Sequence, residues 1–254
     1  MKKWDGKEYS KIQKEYQYIY GKRLIERSKE YVSNIPASVL DMGCGEGTLT
    51  AYLADTFGGN ANISGIDLDE SMVENARLHY PQYSFELSDM SEWLKTNENS
   101  IDYIFSNAAL HWLQSYDKIS ALFDLIYKRL SGNGIAVLHF SLFDNGLEAK
   151  KFLYNNLSIY LGINEIEKPF CEYQYPMIIQ ILKKQFNILY NQECLYKPFE
   201  KNNILNFQWM ITSQPILHLT GEKYSQFVDY LYAIWLANPI EVEAHQCEFI
   251  IRRR

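Results

Sequence analysis

Apolar positions in this chain follow two alternating rhythms. Short runs near 39–41, 61–67, 83–88, 101–106 and 134–142 read as strands, and stretches near 48–57, 70–79 and 117–130 repeat at helical spacing. Strands alternating with helices in this way predict an α/β fold with a parallel sheet covered by helices on both faces. Residues 1–35 read as a helical segment ahead of it, with Tyr9, Ile12, Tyr16, Ile19 and Tyr20 at helical spacing, and Pro36 marks the boundary before the first strand. Gly132-Asn133-Gly134 reads as the turn into the fifth strand, with glycine supplying a left-handed helix cap. After Phe143 the pattern loosens. Helices are expected near 145–161 and 172–185, a strand over 186–190 reaching toward Leu195, helices near 201–211 and 222–237, and an alternating strand over 246–252. With no repeat, low-complexity tract or linker, residues 1–254 are expected to form a single domain of three parts, 1–35, 36–143 and 144–254.

The chemistry concentrates where the first strand ends. Val39-Leu40-Asp41-Met42-Gly43-Cys44-Gly45-Glu46-Gly47 runs from an apolar strand into a loop with glycine at every second position, and a helical segment begins at Thr48. Glycine serves where the backbone takes positive φ or where a ligand must approach the main chain without a Cβ in the way. A strand, a glycine loop and a helix N-terminus make a ligand-binding corner of an α/β sheet. The dinucleotide fingerprint G-x-G-x-x-G would require its third glycine at Thr48, so the spacing disfavours a dehydrogenase.

Asp-x-Gly-x-Gly-x-Gly instead resembles motif I of the class I S-adenosylmethionine-dependent methyltransferases. The resemblance implies a Rossmann-like, doubly wound, seven-stranded sheet whose last strand is antiparallel, with an N-terminal helical lid and a helical insertion. It implies that 36–143 is the cofactor-binding core and 144–254 the substrate-side helices and closing strands. It places Asp41, Gly43, Cys44, Gly45 and Gly47 along the methionine part of the cofactor, where a carboxylate attracts the positive sulfonium and α-ammonium. Asp67, ending the second strand, falls where an acid accepts from ribose hydroxyls, with Asp69 and Ser71 as the better helix caps beside it. Asp89 is implied to bond the adenine amino group, with Leu68 and Met90 on the two faces of the ring, and Asn107 completes the set after the fourth strand. Cys44 reads as a small packing residue.

Bulk properties narrow the function. Net charge is −6, with Arg252-Arg253-Arg254 the one dense basic run, read as a solvated tail, so no broad basic face for nucleic acid is expected. No signal peptide and no apolar stretch of the roughly 20 residues a membrane helix needs is found, which fits a cytoplasmic protein. Four scattered cysteines without a Cys-x-x-Cys pair point to neither a metal nor disulfides.

Ser106-Asn107-Ala108-Ala109-Leu110-His111-Trp112 stands where methyltransferases of nucleic-acid bases carry Asn/Asp-Pro-Pro-Tyr/Phe. It resembles the subgroup that methylates carboxylates, which includes trans-aconitate and malonyl-acyl carrier protein methyltransferases. A carboxylate is already ionised at neutral pH, with an ordinary pKa of ~4, so no base is required. His111 is the one base candidate, with orientation of the acceptor as its other reading, and Trp112 is expected to pack beneath the cofactor loop. Tyr9 and Gln13 are placed on the lid. Lys22, Arg23, Arg27 and Lys29 would suit an acidic carrier protein. A small-molecule hydroxyl, amine or carbon acceptor, and a non-catalytic partner protein, are the alternatives.

Overall fold

The computed structural model describes residues 11–58, 61–163, 172–197, 200, 207, 210–211 and 219–254, with the backbone alone for 11–15. Helix α1 (Lys11–Ser28) and a 3-10 turn (Lys29–Tyr31) precede the alternation β1 (Ser38–Met42), α2 (Thr48–Phe57), β2 (Asn62–Asp67), α3 (Glu70–His79), β3 (Ser84–Leu87), α4 (Met90–Thr96), β4 (Ile101–Asn107), α5 (Tyr116–Arg129) and β5 (Leu130–Ser141). Then follow α6 (Leu147–Leu161), α7 (Tyr175–Leu182), β6 (Phe186–Tyr196), α8 (Glu222–Ala237) and β7 (Ala244–Arg253). The expected helix over 201–211 lies largely outside the described residues.

The seven strands are ordered β3-β2-β1-β4-β5-β7-β6, with β7 antiparallel to both of its neighbours. The chain moves outward one way from β1 to β3, then returns to pair β4 with β1 on the other side. That reversal opens a crevice at the carboxyl ends of β1 and β4, where ligands of such sheets bind.

Successive strand side chains point to opposite faces, so each strand of the centre feeds two cores. Leu40, Met42, Ile104 and Leu138 pack with Leu94 of α4, Ile119 and Phe123 of α5, and Ile178 and Leu182 of α7. Val39, Tyr103, Phe105 and Val137 pack on the other face with Leu24 and Ile25 of α1 and Leu53 and Phe57 of α2. A further cluster joins Ala149, Leu153 and Leu157 of α6 to Phe227, Leu231 and Trp235 of α8.

Three expectations are corrected. Gly132-Asn133-Gly134 is no cap: α5 ends directly into extended Leu130, and the two glycines lie inside β5 without positive φ. Gly134 is there for close approach, since a Cβ would lie 2.9 Å from the Asp102 carbonyl oxygen, beside a register shift between Ile101 and Tyr103. Ile19 does not join the docking face of α1: it is 52% exposed, and Leu24, Ile25 and Ser28 are the residues turned inward. Nor is the arginine run a solvated tail, because Arg252 and Arg253 belong to β7 and donate to the Tyr31 and Leu130 carbonyls at 2.6 and 3.0 Å.

Candidate functional site

The glycine loop is pinned to the end of β2. The N–H groups of Gly43 and Cys44 both donate to the Ile66 carbonyl, at 2.8 and 3.0 Å, and Gly45 N–H donates to Asp67 Oδ2 at 2.9 Å. Gly43, Gly45 and Gly47 have φ of 75°, 55° and 82°, a region costly for residues with a Cβ. The reasons for two of these glycines differ. A Cβ on Gly43 would sit 2.3 Å from that of Ala109, because the loops after β1 and β4 touch there. A Cβ on Gly45 would meet nothing within 4 Å. Packing does not require glycine at position 45, so this backbone is bare toward the crevice. Cys44 is a packing residue, buried with Val73, Ala76 and Phe85 and its thiol pushed well above its ordinary pKa by burial, which makes it a poor nucleophile.

Two carboxylates line the loop. Asp41 is 2% exposed and accepts from the Thr50 hydroxyl at 2.6 Å through Oδ2. Burial pushes its pKa up from 3.8 to about 7, against the Thr50 hydrogen bond and with help from the Asp67 charge. Because the native state binds that proton more tightly than the unfolded chain, stability from this group is greatest below 3.8 and is lost as pH rises through about 7. Asp67 accepts one backbone bond per oxygen, from Gly45 to Oδ2 and from Asp69 to Oδ1, each 2.9 Å, and burial raises its pKa despite them. Asp69 is the cap of α3, as expected, accepting from Ser71 and Met72 at 2.8 and 3.1 Å. Ser71 lies inside the helix and binds the same Asp69 oxygen with its hydroxyl.

Further along the crevice, Leu68 is 68% exposed, which leaves a large apolar side chain beside the carboxylates. Asp89 caps α4 through Oδ1, accepting from Ser91 and Glu92 at 2.8 and 3.1 Å, and Met90 rests on the core below it. That short helix was not read from the sequence.

Asn107, at the end of β4, joins three elements. Its Nδ2 donates to the Gln17 carbonyl of α1 at 3.1 Å, and its Oδ1 accepts from Nδ1 of His139 at 2.7 Å. His139 is 2% exposed, reaches the Gln246 amide at 2.9 Å, and is kept neutral chiefly by burial. Sequence reasoning missed this histidine, although it interrupts the apolar run 135–140. Ala108, next to it, holds φ 55°. A left-handed non-glycine residue stores strain of the kind that gathers at functional sites.

His111 lies in a 3-10 turn (Leu110–Leu113) after β4, with Ser141 N–H donating weakly to its Nδ1 at 3.5 Å. Its pKa is pushed down to about 3, first by burial and then by the neighbouring Lys150 and His139. Trp112 is 42% exposed, with its ring 5.2 Å from that of His111. Tyr9 lies outside the described residues. Gln13 is on the first turn of α1, and its side chain is likewise outside them.

Lys22, Arg23 and Arg27 of α1 and Lys29 of the 3-10 turn each have a partner within the chain. Lys22 lies over the Tyr52 ring at 4.9 Å, Arg23 pairs with Glu248, which is 1% exposed, Arg27 covers Tyr190 at 4.5 Å, and Lys29 pairs with Glu26 at 2.7 Å. Among the described residues no cluster of three or more metal-ligating side chains is present, and no helix is long and apolar enough to cross a membrane.

Residues 39–134, from β1 into β5, match the family described as methyltransferase domain. The chain is 34% identical over 125 residues to trans-aconitate 2-methyltransferase of Delftia acidovorans, covering 47% of this chain and 44% of that enzyme. It is 33% identical over 140 residues to the Escherichia coli enzyme of the same name, covering 52% of each. The chain therefore spans about half the length of the curated relatives it matches. Among solved structures, magnesium protoporphyrin IX methyltransferase of Synechocystis, with bound SAH, matches at TM-score 0.56 and 15% identity over 96% of this chain and 85% of that one. The MccD protein matches at TM-score 0.62 and 13% identity, over 91% and 96%. At these identities the structures speak for the fold alone.

Proposed function

We propose, for a chain that carries a class I methyltransferase domain, that it moves the methyl group of S-adenosylmethionine to a carboxylate oxygen of a small acid. The observation that carries the reading is the Gly43–Gly47 loop, whose Gly45 has positive φ and open space before it while its N–H is clamped by Asp67. A cofactor can lie against bare backbone at that point.

Asp67 keeps room for ribose hydroxyls: an ionised carboxylate has about four acceptor sites, and the two backbone donors take one on each oxygen. Asp89 caps α4 with one oxygen, which suits the other to an adenine amino group, with Leu68 and Met90 flanking the ring. Asn107 holds α1 over the crevice. Asp41 suits the positive methionine end. Its ionisation is opposed by burial in the ligand-free protein, so cofactor binding should release a proton near pH 6.5. Calorimetry of S-adenosylmethionine binding in two buffers of different ionisation enthalpy is expected to give different heats. Identical heats would remove Asp41 from the cationic end.

The cofactor supplies an electrophilic methyl group, and the acceptor oxygen gains the C–O bond as the S–C bond breaks, its electron pair passing to sulfur. No proton moves when the acceptor is a carboxylate, and proximity and alignment supply much of the rate. A hydroxyl or amine would need a proton acceptor working near neutrality, and His111 at about 3 does not suit that role. His111→Gln is therefore expected to leave turnover within a few-fold of wild type at every pH from 6 to 9. A large loss of turnover, together with loss of an acidic limb that wild type shows, would restore the general-base role. The partners that Lys22, Arg23, Arg27 and Lys29 find within the chain favour a free acid over one borne on an acidic carrier.

The relatives named as trans-aconitate 2-methyltransferases support a carboxylate acceptor. The direct test is incubation with S-adenosylmethionine labelled in the methyl group and trans-aconitate. Label in a base-labile methyl ester is the expected outcome. Label in a base-stable product would move the acceptor to another class.

A further inference from the structure

Helix α1 is held in two ways. Its second half is anchored in the apolar core through Leu24 and Ile25, both fully buried. The stretch from Gln17 to Gly21 instead reaches both edges of the crevice, the end of β4 and the start of α2. The Gln17 carbonyl accepts from Asn107 Nδ2 at 3.1 Å, and a Cβ on Gly21 would lie 2.5 Å from Leu49 Cδ1 and 3.2 Å from Asn107 Cγ. Glycine there lets the helix backbone come down onto the crevice. The Asn107 contact is directional, and His139 sets its direction. A carbonyl only accepts, so Asn107 turns its NH2 to Gln17 and its Oδ1 to the histidine. Oδ1 also only accepts, so the single proton of the neutral ring belongs on Nδ1, 2.7 Å away. Without that donor the Asn107 amide is free to turn over, presenting oxygen to oxygen and breaking the tie to α1. The His139 carbonyl also accepts from the N–H of left-handed Ala108 at 2.8 Å, and its ring stacks on that of Tyr20 in α1, with centroids 5.9 Å apart. One residue of β5 thus fixes the end of β4 and meets the helix laid across it.

We propose that His139 is a positioning residue for the cofactor: by fixing the Asn107 amide it seats α1 across the crevice, and this closure sets how long an adenosyl ligand stays bound. The assignment rests on the S-adenosylmethionine reading above. His139 acts through Asn107 and exchanges no proton with a ligand. Leu24 and Ile25 keep the helix attached when the polar tie opens, so the Gln17 end moves and the ligand enters and leaves there. The tie is present with and without ligand. Weakening it therefore speeds both steps and leaves the equilibrium affinity little changed, since a ligand responds only to a difference between two states.

The test compares wild type, His139→Asn and His139→Gln by surface plasmon resonance with S-adenosylhomocysteine and by hydrogen exchange of the α1 amides. Asparagine places an amide nitrogen where Nδ1 stood and keeps the donor to Asn107, whereas glutamine places it toward Gln246. Both lose the ring against Tyr20, so their difference reads the Asn107 bond alone. In His139→Gln, ligand dissociation and amide exchange over residues 17–21 are expected to rise on the order of 10-fold, the loss of one hydrogen bond, with Kd within a few-fold of wild type. His139→Asn should recover most of both. Should His139→Gln not fold, Gly21→Val, which lifts α1 from Leu49 and Asn107 and leaves the histidine intact, is expected to give the same faster dissociation. Unchanged dissociation in His139→Gln overturns the proposal. Equal effects in the two variants do so as well, as does a Kd that rises in step with dissociation, which would make His139 a packing residue of the site. If wild type binds no S-adenosylhomocysteine, the cofactor reading has failed and takes this role with it, whereas failure of the proposal alone leaves wild-type binding intact.

Discussion

Gly43→Ala is expected to destabilise the protein by about 3 kcal/mol, a left-handed penalty of ~1–2 kcal/mol plus overpacking of ~1–3 kcal/mol. The cause is local: φ is 75°, and the new methyl would fall 2.3 Å from Ala109 Cβ, a branch of the chain that cannot yield without moving the loop after β4. For a chain of this size the fall in Tm is roughly 6–12 °C, read by thermal or urea unfolding. Gly45→Ala makes the contrast. Nothing lies within 4 Å of its Cβ position, so only the strain of φ 55° remains, about 1 kcal/mol. Its expected effect is on ligand binding: a stable protein that binds S-adenosylhomocysteine poorly. If instead Gly45→Ala binds normally, the ligand does not approach the main chain there.

Asp67→Ala is expected to weaken cofactor binding by about 1.5–3 kcal/mol, on the order of 10- to 100-fold in Kd. Two effects act together. The charged acceptors offered to ribose are lost, and Gly45 N–H loses the carboxylate that fixes the loop, at 2.9 Å. Asp67→Asn keeps one oxygen acceptor and should fall between the two. Titration of each variant with S-adenosylhomocysteine reads the series, and equal affinity in all three would put the ribose elsewhere.

The parts of this fold that depend on local order were legible in the sequence. Period and turn chemistry are short-range properties, so the strand–helix alternation, the glycine loop and the acids at Asp41 and Asp67 could be read directly. So could α8, expected near 222–237 and found at Glu222–Ala237. What escaped depends on distant partners or on brevity. Helix α4 has seven residues, too few for a periodic signal. The pair Arg23 and Glu248 joins positions 225 residues apart, so no local pattern could show it. His139 does leave a signal, a polar residue in the apolar run 135–140, but its meaning comes only when β5, the end of β4 and α1 meet at Asn107.

The account stands most directly on calorimetric titration of the protein with S-adenosylhomocysteine, with NAD as the control ligand. It predicts micromolar, one-to-one binding of the adenosyl ligand and no binding of NAD. Absence of adenosyl binding by a folded protein would contradict it, and the bare backbone at Gly45 would then have to be explained without a cofactor.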